Sequence, residues 1–156
     1  MWWRLRRREF EAQQGEKNRL AMKEIVEEGR VPGVLAYSGE RPVGWCSVAP
    51  REEFGSLNRS RVLRPIDGES VWSIVCFYVA RDRRGEGIVE GLIRAAIDYV
   101  RERGGSIVEA YPTVLESKQA PPTSSFMGFQ EVFARIGFEE CARPSESKSI
   151  MRYRID

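Results

Sequence analysis

Histidine is absent from this 156-residue sequence. That absence removes Ser-His-Asp and Cys-His nucleophilic catalysis, together with the commonest side-chain metal ligand. Cysteine is scarce. Cys46, Cys76 and Cys141 stand far apart with no Cys-x-x-Cys pair, which argues against a disulfide framework or a zinc site and for a reducing, cytoplasmic compartment. No apolar run approaches the roughly 20 residues of a membrane span. The basic stretch Arg4-Leu5-Arg6-Arg7-Arg8 is not followed by the apolar segment a signal peptide carries. A formal charge of +2 is too small to indicate nucleic acid, and Arg4 to Arg8 reads as a solvated helix start. Any chemistry must use carboxylates, hydroxyls, a thiol, backbone amides or water.

What is present suits one globular domain over residues 1–156, with 42% hydrophobic and 31% charged residues. The most informative stretch is Val71-Trp72-Ser73-Ile74-Val75-Cys76-Phe77-Tyr78-Val79-Ala80, an apolar run that reads as a strand buried on both faces. Arg81-Asp82-Arg83-Arg84-Gly85-Glu86-Gly87 follows, and then Ile88, Leu92, Ala95, Ala96, Tyr99 and Val100 recur at helical spacing up to Gly104-Gly105. This order aims backbone N–H groups and a positive helix end at one point, the arrangement that binds a phosphate without a metal.

Around this unit the sequence predicts a strand over Trp2–Leu5 and a helix from about Glu9 to Glu28, split at Gly15 and ended by Gly29. Leu20, Met22, Ile25 and Val26 supply its apolar stripe. Val34–Ser38 and Pro42–Val48 form a hairpin through Gly39-Glu40-Arg41, and Ala49–Ser70 is a polar connection with room for one helical turn. Ile107–Tyr111 is a strand ended by Pro112, and Pro112–Ser125 is a long loop. A short helix carrying Phe129, Val132, Phe133 and Ile136 precedes strands at Phe138–Ala142 and Ser149–Tyr153. The fold class is α/β, one mixed and mostly antiparallel sheet with helices on both faces.

Arg84-Gly85-Glu86-Gly87-Ile88-Val89, set between a buried strand and an amphipathic helix, resembles the acetyl-CoA loop of the GNAT N-acetyltransferase superfamily, Gln/Arg-x-x-Gly-x-Gly/Ala. Val89 departs from the final small residue of that pattern. Phe133-Ala134-Arg135-Ile136-Gly137-Phe138 resembles the family's later helix-to-strand junction, usually Tyr-x-x-x-Gly-Phe. Element order extends the resemblance over nearly the whole chain, and Trp-Arg-Leu, Gly-Glu-x-Asn-Arg and Ala-Pro-Arg-Glu-Glu-Phe are similar to a bacterial subset of unassigned substrate.

The resemblance implies a GNAT fold, acetyl-CoA as cosubstrate, a small-molecule or peptide amine as acceptor, and a homodimer through the C-terminal strands. It implies that amides from Gly85 through Glu86, Gly87, Ile88, Val89 and Glu90 wrap the pyrophosphate, with Arg84 adding positive potential. Main-chain groups of Phe77, Tyr78 and Val79 would pair with the pantetheine. Ser73 stands where some members carry a catalytic Glu, and Phe133 where many carry a proton-donating Tyr, so neither role can be filled there. Glu109 is then the candidate base, since an acid in an apolar strand has its pKa raised by burial; the competing role is an ion pair with an arginine such as Arg94 or Arg135. Tyr111 and Tyr78 are candidate proton donors, with packing the stronger reading for each. Cys76 reads as core. Trp45, Trp72, Phe126 and Phe129 could line an acceptor pocket. Two other readings stand beside this one. Gly85-x-Gly87-x-x-x-Gly91 with Glu109 on the next strand could belong to an NAD(P)-binding oxidoreductase, although four charged residues delay the first glycine. Ser73 and Phe133 together would also suit a non-catalytic acyl-CoA-binding module.

Overall fold

In the computed structural model, which describes residues 1–114 and 126–156, glycines punctuate the N-terminal helical sequence. Helices α1 (Arg7–Ala12) and α2 (Glu16–Glu27) are separated at Gly15, φ 75°, and the chain leaves α2 through Gly29, φ 78°. Of the expected stripe on α2, only Ile25 is buried; Leu20 and Val26 are exposed. The expected strand at Trp2–Leu5 is a turn. The amides of Arg4 and Leu5 donate to the Met1 carbonyl, while the Trp3 carbonyl accepts the Ser56 amide at 2.9 Å and Arg4 pairs with Glu53 at 2.6 Å. These bonds hold the segment on residues 51–58 and away from any sheet edge.

The sheet contains β1 (Gly33–Ser38), β2 (Arg41–Pro50), β3 (Trp72–Val79), β4 (Ile107–Ala110), β5 (Glu139–Ser145) and β6 (Lys148–Arg154), in the order β1-β2-β3-β4-β6-β5. Only β3 and β4 run parallel, because the crossover helix α4 (Ile88–Glu102) joins them. The mixed, mostly antiparallel sheet is the expected class. Helix α5 (Gln130–Ile136) ends at Gly137, φ 109°, which turns the chain into β5.

Two apolar clusters hold the layers together. On one face, Leu92, Ile93, Ala96, Ile97 and Val100 of α4 and Phe133 of α5 pack on Cys46, Val48, Ile74, Phe77 and Val108. Ile93 and Ile97 carry the stripe that Ala95, which is exposed, does not. On the other face, the connection read as merely polar contributes Phe54, Leu57 and Leu63, each buried against Val75, Tyr111 and Ile150. That connection holds a 3-10 turn (Arg51–Glu53) and the one-turn helix α3 (Gly55–Asn58). Residues 115–125, most of the predicted loop, lie outside the described residues.

Close packing between β1 and β2 gives a direct test. A Cβ added at Gly33 would lie 2.0 Å from the carbonyl oxygen of Cys46, a backbone atom that cannot swing aside. Gly33→Ala is therefore expected to cost about 1–3 kcal/mol through overpacking, read as a lower denaturation midpoint.

Candidate active site

The site begins where the parallel ladder stops. β3 and β4 pair only at Trp72↔Val108, Ser73↔Glu109 and Ile74↔Ala110. At that point β3 carries one residue more than β2, since Ser47 faces Cys76 while Val48 faces Ile74. Val75 is the extra residue, and both Val75 and Cys76 consequently lie toward the second cluster. A bulge of this kind bends its strand and increases the twist. With Pro112 ending the neighbouring strand, the rest of β3 parts from it. Tyr78 is 59% exposed as a result, so the run expected to be buried on both faces is so only in its first half. The Phe77 amide donates to the Phe126 carbonyl at 2.6 Å in place of a β4 partner.

A cleft of about 540 Å³ opens along this free flank. Of the residues assigned to acetyl-CoA, Phe77, Tyr78, Val79, Arg84, Gly85, Gly87, Ile88 and Val89 line it. Glu86 and Glu90 are not among the lining residues. Gly85 and Gly87 have φ of 86° and 76°, and an added Cβ at either would meet nothing within 4 Å. Their glycines are therefore required by backbone conformation, and they leave an open cradle over the start of α4. The Glu90 amide donates to the Gly87 carbonyl at 3.0 Å, while those of Ile88 and Val89 precede the first intrahelical bond. Such amides and the helix dipole favour an anion.

The charges around the cradle are arranged to leave positive potential. Asp82 is bound by Arg41 at 2.8 Å, and that hydrogen bond holds its carboxyl below the usual range. Glu86 pairs with Arg83 at 3.0 Å. Glu90 accepts from Arg94 at 2.9 Å, which lowers its pKa, and also meets Arg135. Arg84 donates to the Val79 carbonyl at 3.3 Å and pairs with no carboxylate among the described residues. An open glycine cradle, unspent helix amides and a guanidinium with no carboxylate partner among the described residues fit a diphosphate.

Glu109 and Tyr111 lie together, as their shared strand face implies, but neither lines the cleft. Glu109 Oε1 accepts from Tyr111 Oη at 2.6 Å and from Arg51 Nη1 at 3.0 Å, while Oε2 accepts from Arg152 Nε at 2.8 Å. Arg51 Nη1 also donates to Tyr111 Oη at 2.7 Å, and Ser73 Oγ lies 2.8 Å from that oxygen. The arginines beside Glu109 are thus Arg51 and Arg152; Arg94 and Arg135 reach Glu90 instead. Burial, reinforced by the Glu109 charge, pushes the Tyr111 phenol well above its usual pKa, so it stays protonated. Arg152 continues the network outward to Asp67 and Glu69. Arg51 was hidden within a connection that looked polar. Arg152 shares a strand face with buried Ile150, but its place opposite Glu109 depends on a β4–β6 register that the local pattern does not specify.

A second pocket of about 340 Å³ opens on the bulged side of β3, with Val75, Cys76, Trp3, Trp45 and Phe54 among its walls. Phe126 lines both spaces. Of the four aromatics singled out in the sequence, Trp45 and Phe126 therefore meet here, Phe129 faces the first cleft, and Trp72 packs edge-on to Tyr99 at 5.8 Å. Burial pushes the Cys76 thiol up, away from a nucleophilic thiolate at neutral pH.

This geometry suits the binding of an acyl-CoA. The sequence pattern of the acetyltransferase (GNAT) family matches residues 1–129, so the chain belongs to that family and is an acetyl-CoA-dependent N-acetyltransferase. Among solved structures, a GNAT-family protein from Desulfovibrio desulfuricans aligns at TM-score 0.56 and 20% identity, covering 94% of this chain and 89% of its own. Ribosomal-protein-alanine N-acetyltransferase from Brucella melitensis aligns at TM-score 0.56 and 21% identity over 90% and 78%. The yncA protein of Salmonella typhimurium, solved with acetyl-CoA, aligns at TM-score 0.56 and 18% identity over 89% and 73%. These likenesses show a shared fold. No curated protein sequence matches the chain.

Two outcomes follow for the buried network. Glu109→Ala leaves Arg51 and Arg152 facing each other without a carboxylate, at an expected cost of about 3–5 kcal/mol in urea unfolding. The phenol of Tyr111 ionises near pH 10 only once the chain unfolds. Its raised folded pKa means that stability is full below pH about 10 and falls as pH rises beyond it. Tyr111→Phe should flatten that alkaline limb, measured as unfolding midpoint against pH.

Proposed function

We propose that the chain acetylates a primary amine by direct attack in a ternary complex. The observation that carries this reading is the coincidence of two features: the free flank of β3 begins at Val75 and leads along one cleft to the Gly85–Val89 cradle. Acetyl-CoA supplies an activated thioester, and the chain's part is to hold and polarise it. Strand alternation turns the Phe77 and Val79 main-chain groups to the same side of β3, away from β2. Val79 then presents an amide to the arm of the coenzyme, and an amide aimed at the developing oxyanion lowers the barrier. Phe77 can join once its bond to Phe126 is exchanged. The amine nitrogen forms the new bond to the acetyl carbon as the carbon–sulfur bond breaks, and the proton lost by nitrogen balances the one gained by sulfur.

Among the three candidates for that proton traffic, Tyr78 alone lines the cleft, which supports it as the donor to the departing sulfur. Among the described residues lining the cleft and the aromatic pocket there is no carboxylate, which supports water as the acceptor of the amine's proton. Glu109, held by two arginines and a phenol, is read as a positioning residue that fixes the base of β3 and β4. The buried thiol of Cys76 fits direct attack better than an acetyl-cysteine intermediate.

The decisive experiment compares thermal shifts with CoA and with NADPH, because a bound ligand raises Tm by mass action. CoA is expected to give the larger shift, and acetyl-CoA is expected to release thiol with a suitable amine. A larger shift with NADPH would overturn the reading in favour of an oxidoreductase, and a CoA shift without thiol release across a broad amine panel would favour a non-catalytic module.

A further inference from the structure

We propose that the aromatic pocket beside Cys76 takes a small amine with a hydrophobic body and a free carboxylate, the chemistry of a hydrophobic amino acid. This rests on the N-acetyltransferase reading and names the acceptor class of that site.

The pocket's walls are unusually apolar at its bulk and unusually specific at one point. Trp2, Trp3, Trp45, Phe54 and Phe126 enclose it, and Arg4 is the one charged side chain among its described lining residues. A hydrophobic body buries well against such walls. A polyamine or an aminoglycoside would bring several positive charges into a space with no carboxylate among its described lining residues to receive them.

Arg4 supplies the specificity. Its side chain is only 7% exposed, its Nη1 donates to Glu53 at 2.6 Å, and its guanidinium lies 4.8 Å over the Phe54 ring. Its Nη2 is buried and has no hydrogen-bond partner among the described residues, and the same holds for Trp3 Nε1. Two neighbouring residues in sequence, both lining this pocket, therefore each carry one unspent buried donor, and on Arg4 Glu53 takes up only the other guanidinium nitrogen. Leaving such a donor unpaired forfeits its full desolvation cost, which few native groups sustain without a purpose. A carboxylate has enough lone pairs for both and carries the charge that suits Arg4.

The pocket also opens at the right place. Val75 and Cys76 form its floor, and Phe77, the next residue, lines the coenzyme cleft. An amine on a ligand seated among the indoles faces the bulge, from which its nitrogen can attack the acetyl carbon while sulfur leaves with the proton. A long peptide is not required to fill a space of about 340 Å³.

Three of the four tryptophans line the pocket, so ligand binding can be read by their fluorescence without any turnover. L-phenylalanine and L-leucine are titrated against phenethylamine and isopentylamine, their decarboxylated counterparts, with spermidine and a peptide beginning in phenylalanine as further arms. The amino acids are expected to quench saturably and to bind about tenfold or more tightly than the bare amines, the worth of one charge-assisted hydrogen bond. KM in acetyl transfer should follow the same order. Arg4→Met keeps an unbranched side chain at this position while removing the guanidinium, and should erase that preference while the CoA thermal shift is retained. Trp3→Phe, which removes the indole N–H together with part of the ring, should narrow the preference and serves as the check if Arg4→Met does not fold. Equal binding of amino acid and amine, tighter binding of spermidine or of the peptide, or a preference that survives both variants would overturn the proposal. A CoA shift without quenching would sink the pocket assignment alone. Quenching with no CoA shift would sink acetyl transfer while leaving the ligand class in place.

Discussion

One extra residue in β3 governs the architecture of this site. Parallel strands joined by a helix ordinarily keep their ladder to the end, and α4 gives β3 and β4 the connection that would allow it. Val75 prevents this. By inserting a residue against β2 it sends two consecutive side chains to one face and rotates the rest of the strand away from β4 after three paired residues. The main-chain groups thereby released cannot remain bare in a protein interior, and Phe126 already satisfies one of them. An extended thioester arm is a natural substitute for the missing strand, because it offers an alternating set of amide groups at strand spacing.

A strand pair forced apart at one end needs to be held firmly at the other, and here that is done with charge. Ser73 and Glu109 are register partners at the closed end of the gap, and Glu109 and Arg152 are partners across the next ladder. Burying a carboxylate between two arginines brings a large desolvation penalty, which only good geometry and complete hydrogen bonding offset. Both carboxylate oxygens are satisfied, and Arg51, whose Nε has no partner among the described residues, donates through its other nitrogens to Glu109, Tyr111 and the Leu63 carbonyl, tying the long connection after β2 to the sheet. An apolar replacement of similar volume could match the stability of this cluster. It could not fix three elements in one register, since apolar contacts lack direction.

How much of this was legible in the sequence follows from the range of the interactions involved. The cradle was legible because its parts are adjacent: the apolar strand, the arginines, Gly85, Gly87 and the stripe of α4 stand within one continuous stretch. The termini of α1, α2 and α5 were legible for the same reason, since Gly15, Gly29 and Gly137 act locally through φ. The turn at Trp2–Leu5 was not. β-prone indoles suggest a strand, but the outcome is set by Ser56 and Glu53, fifty residues away in sequence terms of order. Glu109 shows the intermediate case. Its apolar setting marks it as unusual, yet its partners Arg51 and Arg152 come from two distant segments, and nothing in the local pattern selects them over Arg94 or Arg135.

The absence of histidine acquires a physical meaning in this setting. Amine acetylation by direct attack needs the thioester polarised, the nucleophile positioned and a proton carried off, and the first two are tasks for backbone and shape. β3 serves both from opposite sides. On the proposed reading its free edge and the helix amides address the coenzyme, while the side chains displaced by the bulge, Val75 and Cys76, shape the wall against which an acceptor would rest. Only the third task needs a titrating group, and an amine that enters beside solvent can give its proton to water. A chain that arranges its chemistry through one bent strand thus has little use for an imidazole, and it can vary acceptor choice through the walls at Trp2, Trp3 and Arg4 without disturbing the strand that holds the acetyl donor.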